Sequence, residues 1–169
     1  MIIKFRLSEP KSQKGFTLIE IMLVSGISAI MFALVAFNLL RFQNSSASQA
    51  NADTLISDIK SQQIKAMLGN TEGRTTNDSY GIYFMSDKYI LFHGTTYVAT
   101  DSSNFVVNLP SSLVFQSTTF PSNTIVFTKL SGEIPGFVNG SNTVTLRAVN
   151  INKQTVITLN RYGVITGVN

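Results

Sequence analysis

The sequence contains no cysteine, only one histidine and few charged residues. Because cysteine is absent, the chain can form no disulfide framework, no thiolate metal site and no cysteine nucleophile. With one histidine there is no recognisable cluster of metal ligands, so we expect no metal and no cofactor. Charged residues are 13% of the chain, roughly half the share usual in soluble proteins. Such a surface suits the outside of a cell or contact with other subunits better than a cytosolic enzyme.

The positive charge is concentrated at the N-terminus. The formal net charge is +4, and the first fifteen residues contribute +3 of it through Lys4, Arg6, Lys11 and Lys14 against Glu9. The rest of the chain holds nine basic and eight acidic residues. The overall basicity is therefore a property of the first segment, and it does not indicate a nucleic-acid-binding protein as a whole.

Proline is also absent from a long interval in the first two thirds of the chain. No proline occurs between Pro10 and Pro110, so nothing in that interval interrupts a long helix. Residues 16–40 form an apolar run in which Glu20 is the only charge, and as a helix they would cover about 37 Å, enough for a bilayer of roughly 30 Å. The positive charge before this segment places the N-terminus in the cytoplasm. We therefore predict one membrane span with a single carboxylate in it.

The predicted helix continues beyond the membrane span as an amphipathic segment. Apolar residues recur there close to the helical period: Ala52, Leu55, Ile56, Ile59, Ala66 and Met67. Gln62 and Gln63 interrupt this face, and the Gly69-Asn70 pair is a suitable C-terminal cap. The sequence thus predicts one helix over residues 16–68 whose second half packs on a globular domain.

From residue 70 onward the apolar pattern changes to a period of two. Tyr80–Met85 and Lys88–His93 flank Ser86-Asp87 and predict a hairpin. Further predicted strands are Phe105–Leu109, Val114–Ser117, Thr124–Thr128, Thr143–Val149, Thr155–Leu159 and Gly163–Thr166. The fold class is therefore α+β, a long N-terminal α-helix with a membrane-spanning first half packed on an antiparallel β-sheet domain. The predicted segments are 1–15 (leader), 16–40 (membrane-spanning half of the helix), 41–69 (amphipathic half) and 70–169 (β domain).

One short motif accounts for the carboxylate in the apolar run. The residues KGFTLIE (14–20), which follow a basic leader, resemble the processing site of type IV prepilins and type II secretion pseudopilins. The resemblance implies the pilin fold. It also implies that a membrane prepilin peptidase cuts after Gly15 and methylates the new amine of Phe16. Lys11 and Lys14 would supply the leader charge.

The resemblance also gives Glu20 a role. A carboxylate within a membrane needs a partner, and in this family it meets the N-terminal amine of a neighbouring subunit and sets the register of the filament. Such contacts are heterologous and do not close into a ring. The small residues Ser25, Gly26, Ser28 and Ala29 would let neighbouring helices approach closely.

The resemblance implies partners and a location as well. The partners are other pilin or pseudopilin subunits, the prepilin peptidase, the inner-membrane assembly platform and, before assembly, membrane lipid. The protein would be single-pass in the inner (plasma) membrane with a cytoplasmic N-terminus, and then part of a periplasmic or extracellular filament. It would be a structural protein and not an enzyme.

The β domain indicates which kind of subunit this is. The order of NTIVFTKLSGEI, NTVTLRAVN, QTVITLN and NRYGVITG resembles the GspH/FimT group of minor pseudopilins and minor pilins. Many major pilins have a proline within the apolar helix or a C-terminal disulfide, and this chain has neither. We therefore expect a minor subunit, with a major pilin as the alternative.

Two further alternatives remain open. A minor pilin for DNA uptake could bind DNA through Arg147, Lys153 and Arg161, two of which fall in predicted turns, with Tyr162 as a stacking contact. An ordinary signal peptide followed by a secreted β-rich protein would place the mature N-terminus near Asn51. The apolar run is too long for a signal peptide, and that alternative leaves the carboxylate within it unexplained.

No catalytic constellation is recognisable. A serine–histidine–aspartate site would need His93 near Asp87 or Asp101, and we expect instead a half-buried histidine at a strand end. Asp53 and Asp58 are most simply part of the solvated face of the helix. There is no phosphate-binding loop and no dinucleotide glycine pattern.

Overall fold

A computed structural model of the protein describes residues 15–169. The chain divides into two compact units between Leu40 and Arg41. Helix α1 (Leu18–Met67) is 50 residues long. The predicted single helix is therefore confirmed, with its start two residues later and its end one residue earlier than expected.

The start of α1 is fixed by Thr17. Its side-chain Oγ1 accepts a hydrogen bond of 3.3 Å from the backbone N–H of Glu20. Its carbonyl oxygen accepts bonds of 3.1 and 3.2 Å from the N–H groups of Glu20 and Ile21. Threonine followed three residues later by glutamate is the capping-box pattern, which satisfies N–H groups that the first helical turn leaves unpaired. The helix therefore begins two residues after the predicted processing site.

The N-terminal unit is an exposed apolar helix. Leu18–Phe37 is long and apolar enough to cross a membrane, with a mean hydropathy of 2.4 and no residue buried. Phe16 and Phe32 are 78% and 76% exposed. An apolar surface of this extent needs lipid or another protein against it. The segment therefore fits the predicted membrane span.

The end of α1 is a glycine cap of the Schellman type. Gly69 has a φ of 61°, its N–H donates to the carbonyl of Ala66 at 3.1 Å, and the N–H of Asn70 donates to the carbonyl of Lys65 at 2.9 Å. Only glycine adopts this left-handed conformation without cost. The predicted cap at Gly69-Asn70 is confirmed.

The C-terminal unit contains eight strands in its described residues. They are β1 (Tyr80–Phe84), β2 (Lys88–His93), β3 (Phe105–Asn108), β4 (Leu113–Thr118), β5 (Thr124–Phe127), β6 (Thr143–Ala148), β7 (Lys153–Leu159) and β8 (Ile165–Val168). They form two four-stranded antiparallel sheets, sheet A in the order β3-β2-β1-β5 and sheet B in the order β4-β6-β7-β8. The α+β fold is therefore as predicted.

Strand boundaries differ from the prediction near the C-terminus. The β1–β2 hairpin is confirmed, with Phe84 opposite Tyr89. Strand β7 begins at Lys153, two residues earlier than predicted. Strand β8 begins at Ile165, two residues later, because Gly163 has a φ of 74° and lies in the preceding turn.

The core lies between the second half of α1 and the strands. The helix contributes four fully buried residues, Ala52, Leu55, Ile59 and Ala66. From the strands it includes Tyr80, Ile82, Phe84, Tyr89, Ile125, Phe127, Val144, Leu146, Ile157 and Leu159. Two residues of the predicted face differ: Met67 is 49% exposed and Gln62 is 2% exposed. Gln62 is buried because it lies one turn from Ile59 on the same face.

Candidate functional site

The predicted processing site is an accessible, non-helical segment. Gly15 and Phe16 precede α1, and both are exposed. A side chain added at Gly15 would meet no atom within 4 Å. A peptidase needs an unhindered chain that is not held in a helix, and this segment meets that requirement. The leader charges Lys11 and Lys14 lie outside the residues that the structure describes.

Glu20 lies in the first turn of α1, where a negative charge is favoured by the helix dipole. Its side chain is exposed, and within residues 15–169 it forms no ion pair. It lines a shallow apolar recess of about 300 Å³ together with Phe16, Ile21, Val24 and Ser25. An unpaired carboxylate in a membrane is costly, so the arrangement calls for a cationic partner that the described part of the chain does not provide.

The small residues near Glu20 leave the helix surface open. The hydroxyl of Ser25 donates to the carbonyl of Met22 at 3.0 Å, so its polar group is satisfied within the helix. A side chain added at Gly26 would meet no atom within 4 Å. The role of this face in helix packing remains a prediction.

The three basic residues considered for DNA do not come together. Arg147 lies near the end of β6, and Lys153 begins β7 opposite Ala148. Arg161 follows the other end of β7, about 20 Å away along the strand, and its guanidinium lies 5.6 Å from the ring centre of Tyr162. Lys153 is in a strand and not in the predicted turn. Within residues 15–169 none of the three forms an ion pair.

His93 is held between two carboxylates and has no serine on its ring nitrogens. Its Nδ1 lies 3.0 Å from Oδ2 of Asp78, and its Nε2 lies 3.0 Å from Oδ2 of Asp101. Of the two candidates from sequence, Asp101 is thus a neighbour, while Asp87 lies at the other end of the β1–β2 hairpin. Nδ1 is hydrogen-bonded to Asp78 and Nε2 lies within ion-pair distance of Asp101, so both ring nitrogens face carboxylates and not a nucleophile. The expectation of a half-buried strand-end histidine holds, with 18% of the side chain exposed.

An ionic cluster beside this histidine was missed at the level of sequence. Nζ of Lys65 lies 2.7 Å from Glu72, and Nη1 of Arg74 lies 3.5 Å from the same carboxylate. Burial alone would raise the pKa of Glu72, but the hydrogen bond and charge of Lys65 and the charge of Arg74 outweigh it and lower that pKa. Nη2 of Arg74 also donates to the hydroxyl of Tyr80 at 2.8 Å. The cluster fastens the loop after α1 to the end of the helix.

No metal site is found in the part of the chain that the structure describes, since no three histidine or acidic side chains there could share an ion. The carboxylates of Asp78 and Asp101 contact opposite nitrogens of the His93 ring. They therefore cannot converge on one cation together with that ring.

Comparison with known proteins bears on the N-terminal segment alone. Residues 10–36 match the family model of the prokaryotic N-terminal methylation motif. No curated protein and no solved structure matches the chain. The matched residues include the accessible Gly15-Phe16 bond, the capped helix start and most of the apolar run. The match supports a methylated, membrane-anchored subunit of the type IV pilin and pseudopilin kind.

Proposed function

We propose that the chain is a structural subunit of a type IV pilus or type II secretion pseudopilus, processed after Gly15 and methylated at Phe16. The overlap of two observations carries this proposal. The methylation motif over residues 10–36 overlaps an exposed apolar helix, Leu18–Phe37, that is capped two residues after the processing site. A helix that must leave the membrane and pack in a filament needs a processing motif at its start and an exposed apolar surface along its length.

Assembly proceeds through the first half of α1. Cleavage after Gly15 creates a cation at Phe16, and Glu20 of a neighbouring subunit is its partner. A buried ion pair adds little net stability, but breaking it is costly, so it selects one axial offset between helices. Register of this kind is what a filament with heterologous contacts requires.

The proposed location of the protein changes on assembly. Before assembly the chain crosses the inner membrane once with its N-terminus in the cytoplasm, where lipid covers the apolar helix and the prepilin peptidase processes it. The assembly platform then transfers it to other subunits, and the β domain becomes part of a periplasmic or extracellular filament.

We further propose a minor subunit of the GspH/FimT type. The order of the final strands and their closing turn at Gly163 supports this assignment. A major pilin is the alternative, and copy number separates the two. Quantitative mass spectrometry of sheared filaments should find this chain at less than about one-tenth of the most abundant subunit, whereas a major pilin would itself be that subunit.

Two other functions are less well supported. A signal-peptidase site at Ser48-Gln49-Ala50 would lie inside α1, with Ser48 only 5% exposed, and not in an extended segment. DNA uptake would rely on Arg147, Lys153 and Arg161, but Arg161 lies apart from the other two. Few phosphates could be contacted at once, which would give weak and salt-sensitive binding.

The test of the processing proposal is the mature N-terminus. Intact mass and N-terminal sequencing of the protein from membranes of its own host should give a chain that begins at Phe16 and carries one added methyl group. Gly15→Ala should leave the leader attached, because the peptidase requires an unhindered residue at the cut. Gly26→Ala is the matched control and should be processed normally.

Two results would contradict processing after Gly15. A chain that begins near Asn51 would indicate an ordinary signal peptide. A chain that still begins at Met1 in a host with active prepilin peptidase would contradict the processing proposal and leave Glu20 without an explanation.

A further inference from the structure

Both ring nitrogens of His93 face carboxylates that belong to different loops. Asp78 lies in the loop between α1 and β1 and contacts Nδ1 at 3.0 Å. Asp101 lies in the loop between β2 and β3 and contacts Nε2 at 3.0 Å. His93 ends β2, so its ring joins three segments of the chain. It is the only histidine in the sequence.

This geometry suits the protonated ring. A neutral imidazole has one N–H and one lone pair, so it can donate to only one of the two carboxylates and would direct its lone pair at the other. The imidazolium carries an N–H at both nitrogens, so it hydrogen-bonds Asp78 through Nδ1 and forms an ion pair with Asp101 at Nε2; charge-assisted contacts of this kind are about twice as strong as neutral hydrogen bonds. The two contacts therefore coexist only while the ring carries its second proton.

The carboxylates are fixed in their ionised form by their own contacts. Burial would raise the pKa of Asp78, but hydrogen bonds from His93 and from the backbone N–H of Ser79 lower it overall. For Asp101 the hydrogen bond from the backbone N–H of Ser103 lowers the pKa most, against a smaller opposing effect of burial. The charges of His93 and Arg74 lower both pKa values further. Both groups thus remain acceptors at every pH above their ordinary value of 3.8.

Other charged groups surround the same ring. A recess of about 390 Å³ beside His93 is lined from α1 by Asp58 and Lys65, from the next loop by Glu72 and from β1 by Tyr80. Lys65 and Arg74 are both within ion-pair distance of Glu72. Their positive charges are therefore largely committed to that carboxylate, and neither replaces the ring in its contacts with Asp78 and Asp101.

The β2–β3 loop, residues 94–104, covers aromatic side chains on sheet A. Tyr97 in this loop stacks on Tyr83 with ring centres 4.3 Å apart and planes 8° from parallel. Its ring also meets the edge of Phe92 at 5.7 Å. Tyr83 points to the face of β1 opposite to the buried Ile82 and Phe84. The loop therefore covers an aromatic layer through Tyr97, while Asp101 of the same loop contacts His93 on the opposite, α1-facing side of the sheet.

We propose that the Asp78–His93–Asp101 bridge is a pH-sensitive latch that holds the β2–β3 loop closed over the aromatic layer of sheet A. While the ring carries its second proton the latch has both contacts and the loop is closed. When the ring loses its second proton, one bond becomes repulsive and the loop opens on the side of Asp101. The loop is then released on the α1-facing side of sheet A, the face that His93 shares with Tyr80.

The direction of the pH effect follows from the chemistry of the histidine ring and of the two carboxylates. The bridge depends on a proton on His93, so its contribution is present at low pH and is lost as pH rises. It also depends on two carboxylates with lowered pKa values, so it is lost again only in acid below 3.8. The comparison is between about pH 5.0 and about pH 8.5; both lie above 3.8, so the two carboxylates stay ionised throughout.

Hydrogen exchange of the full-length protein in detergent micelles tests the latch. The reporters are the loop amides of Asp101, Ser103 and Asn104, which are hydrogen-bonded within the closed loop. Their protection factors, each relative to an unstructured chain at the same pH, should fall about fivefold or more between pH 5.0 and pH 8.5 in the wild type. His93→Gln cannot carry the charge, so its protection should be at the lower level at both pH values.

The controls separate a latch from general loosening. Asp87→Asn changes an exposed aspartate at the opposite end of the β1–β2 ladder and should behave as the wild type. If His93→Gln does not fold, Asp101→Asn takes its place with the same expected result. Equal wild-type protection at the two pH values overturns the proposal, and so does a fivefold change that persists in His93→Gln.

Discussion

The hydroxyl of Tyr89 donates a hydrogen bond of 2.5 Å to Oδ2 of Asp58, which joins strand β2 to helix α1 across 31 residues of sequence. The ring of Tyr89 is 1% exposed. Burial, and then the bond and charge of Asp58, raise the pKa of Tyr89 well above its ordinary value. The hydroxyl therefore stays protonated as a donor throughout the working pH range. This bond adds a polar contact to the apolar packing that holds the amphipathic half of α1 on the β domain.

Tyr89→Phe should destabilise the protein although it removes only one oxygen atom. A bond to a charged acceptor contributes about 1.5–3 kcal/mol, and the lower figure applies here because Asp58 is partly exposed and can regain water. Thermal unfolding of the full-length protein in micelles, followed by tyrosine circular dichroism, measures the loss. Tyr83→Phe is the matched control, since within residues 15–169 the Tyr83 hydroxyl forms no hydrogen bond. Equal shifts for the two variants would contradict the assigned role of Asp58.

Much of the fold could be predicted because the signals are local. The long helix follows from an unbroken proline-free run and its end from Gly69, whereas its start at Leu18, two residues later than predicted, depends on the Thr17 cap. The hairpin of β1 and β2 follows from period-two alternation around two polar residues. Each of these depends on residues within a few positions of one another, so one sequence suffices to find them.

Two of the errors come from contacts distant in sequence. Asp58 was expected to face solvent but accepts a bond from Tyr89. Gln63 interrupts the apolar face in the sequence pattern, yet its Nε2 donates to the carbonyl of Tyr162 at 2.6 Å, 99 positions away. That contact helps to set the turn before β8, whose start was predicted two residues too early. No local pattern encodes such pairs.

The candidate site residues also divide into those that sequence predicts and those that it does not. Gly15, Phe16 and Glu20 form a contiguous motif and were recognised from sequence, whereas the bridge from His93 to Asp78 and Asp101 needs three separate segments. One signal for it was present, a lone histidine at the end of an alternating strand. The identity of its partners depends on how the flanking loops close, and that is a property of the whole domain.

Gly163→Ala should be strongly destabilising. Gly163 is buried with a φ of 74°, and a side chain there would lie 2.6 Å from Nε2 of Gln63, 2.8 Å from the carbonyl of Gly132 and 2.8 Å from the ring of Phe127. We expect a loss of about 3 kcal/mol or more, from steric overlap added to left-handed strain.

Gly140→Ala is the control for Gly163→Ala. Gly140 has a comparable φ of 88°, but a side chain there would meet no atom within 4 Å. This variant should lose only the conformational cost of about 1–2 kcal/mol. Thermal unfolding gives both values, and a Gly163→Ala protein as stable as Gly140→Ala would show that the turn can move away from Gln63.

Glu72→Gln should flatten the dependence of stability on acid pH. The pKa of Glu72 is lowered in the folded protein, so its contribution is present above its ordinary value of 4.5 and is lost as pH falls through the folded value. The carboxylate is 35% exposed, so the effect at neutral pH should be below about 1 kcal/mol. Melting temperatures at pH 7 and pH 3 measure it. Glu133→Gln, at an exposed residue without an ion pair in the described chain, should retain the wild-type slope.

Glu20→Gln should abolish filament assembly while leaving processing intact. The amide keeps the size and hydrogen-bonding atoms of the carboxylate but not its charge, so the amine of the neighbouring subunit is left buried without a counter-charge. Loss of one member of a buried ion pair costs about 3–5 kcal/mol per contact, which is enough to leave no filaments to recover by shearing. Intact mass should still show a methylated chain that begins at Phe16.

Asp53→Asn makes the same chemical change at an exposed position of the same helix and should assemble normally. Normal filaments from Glu20→Gln would move the register contact to another part of α1.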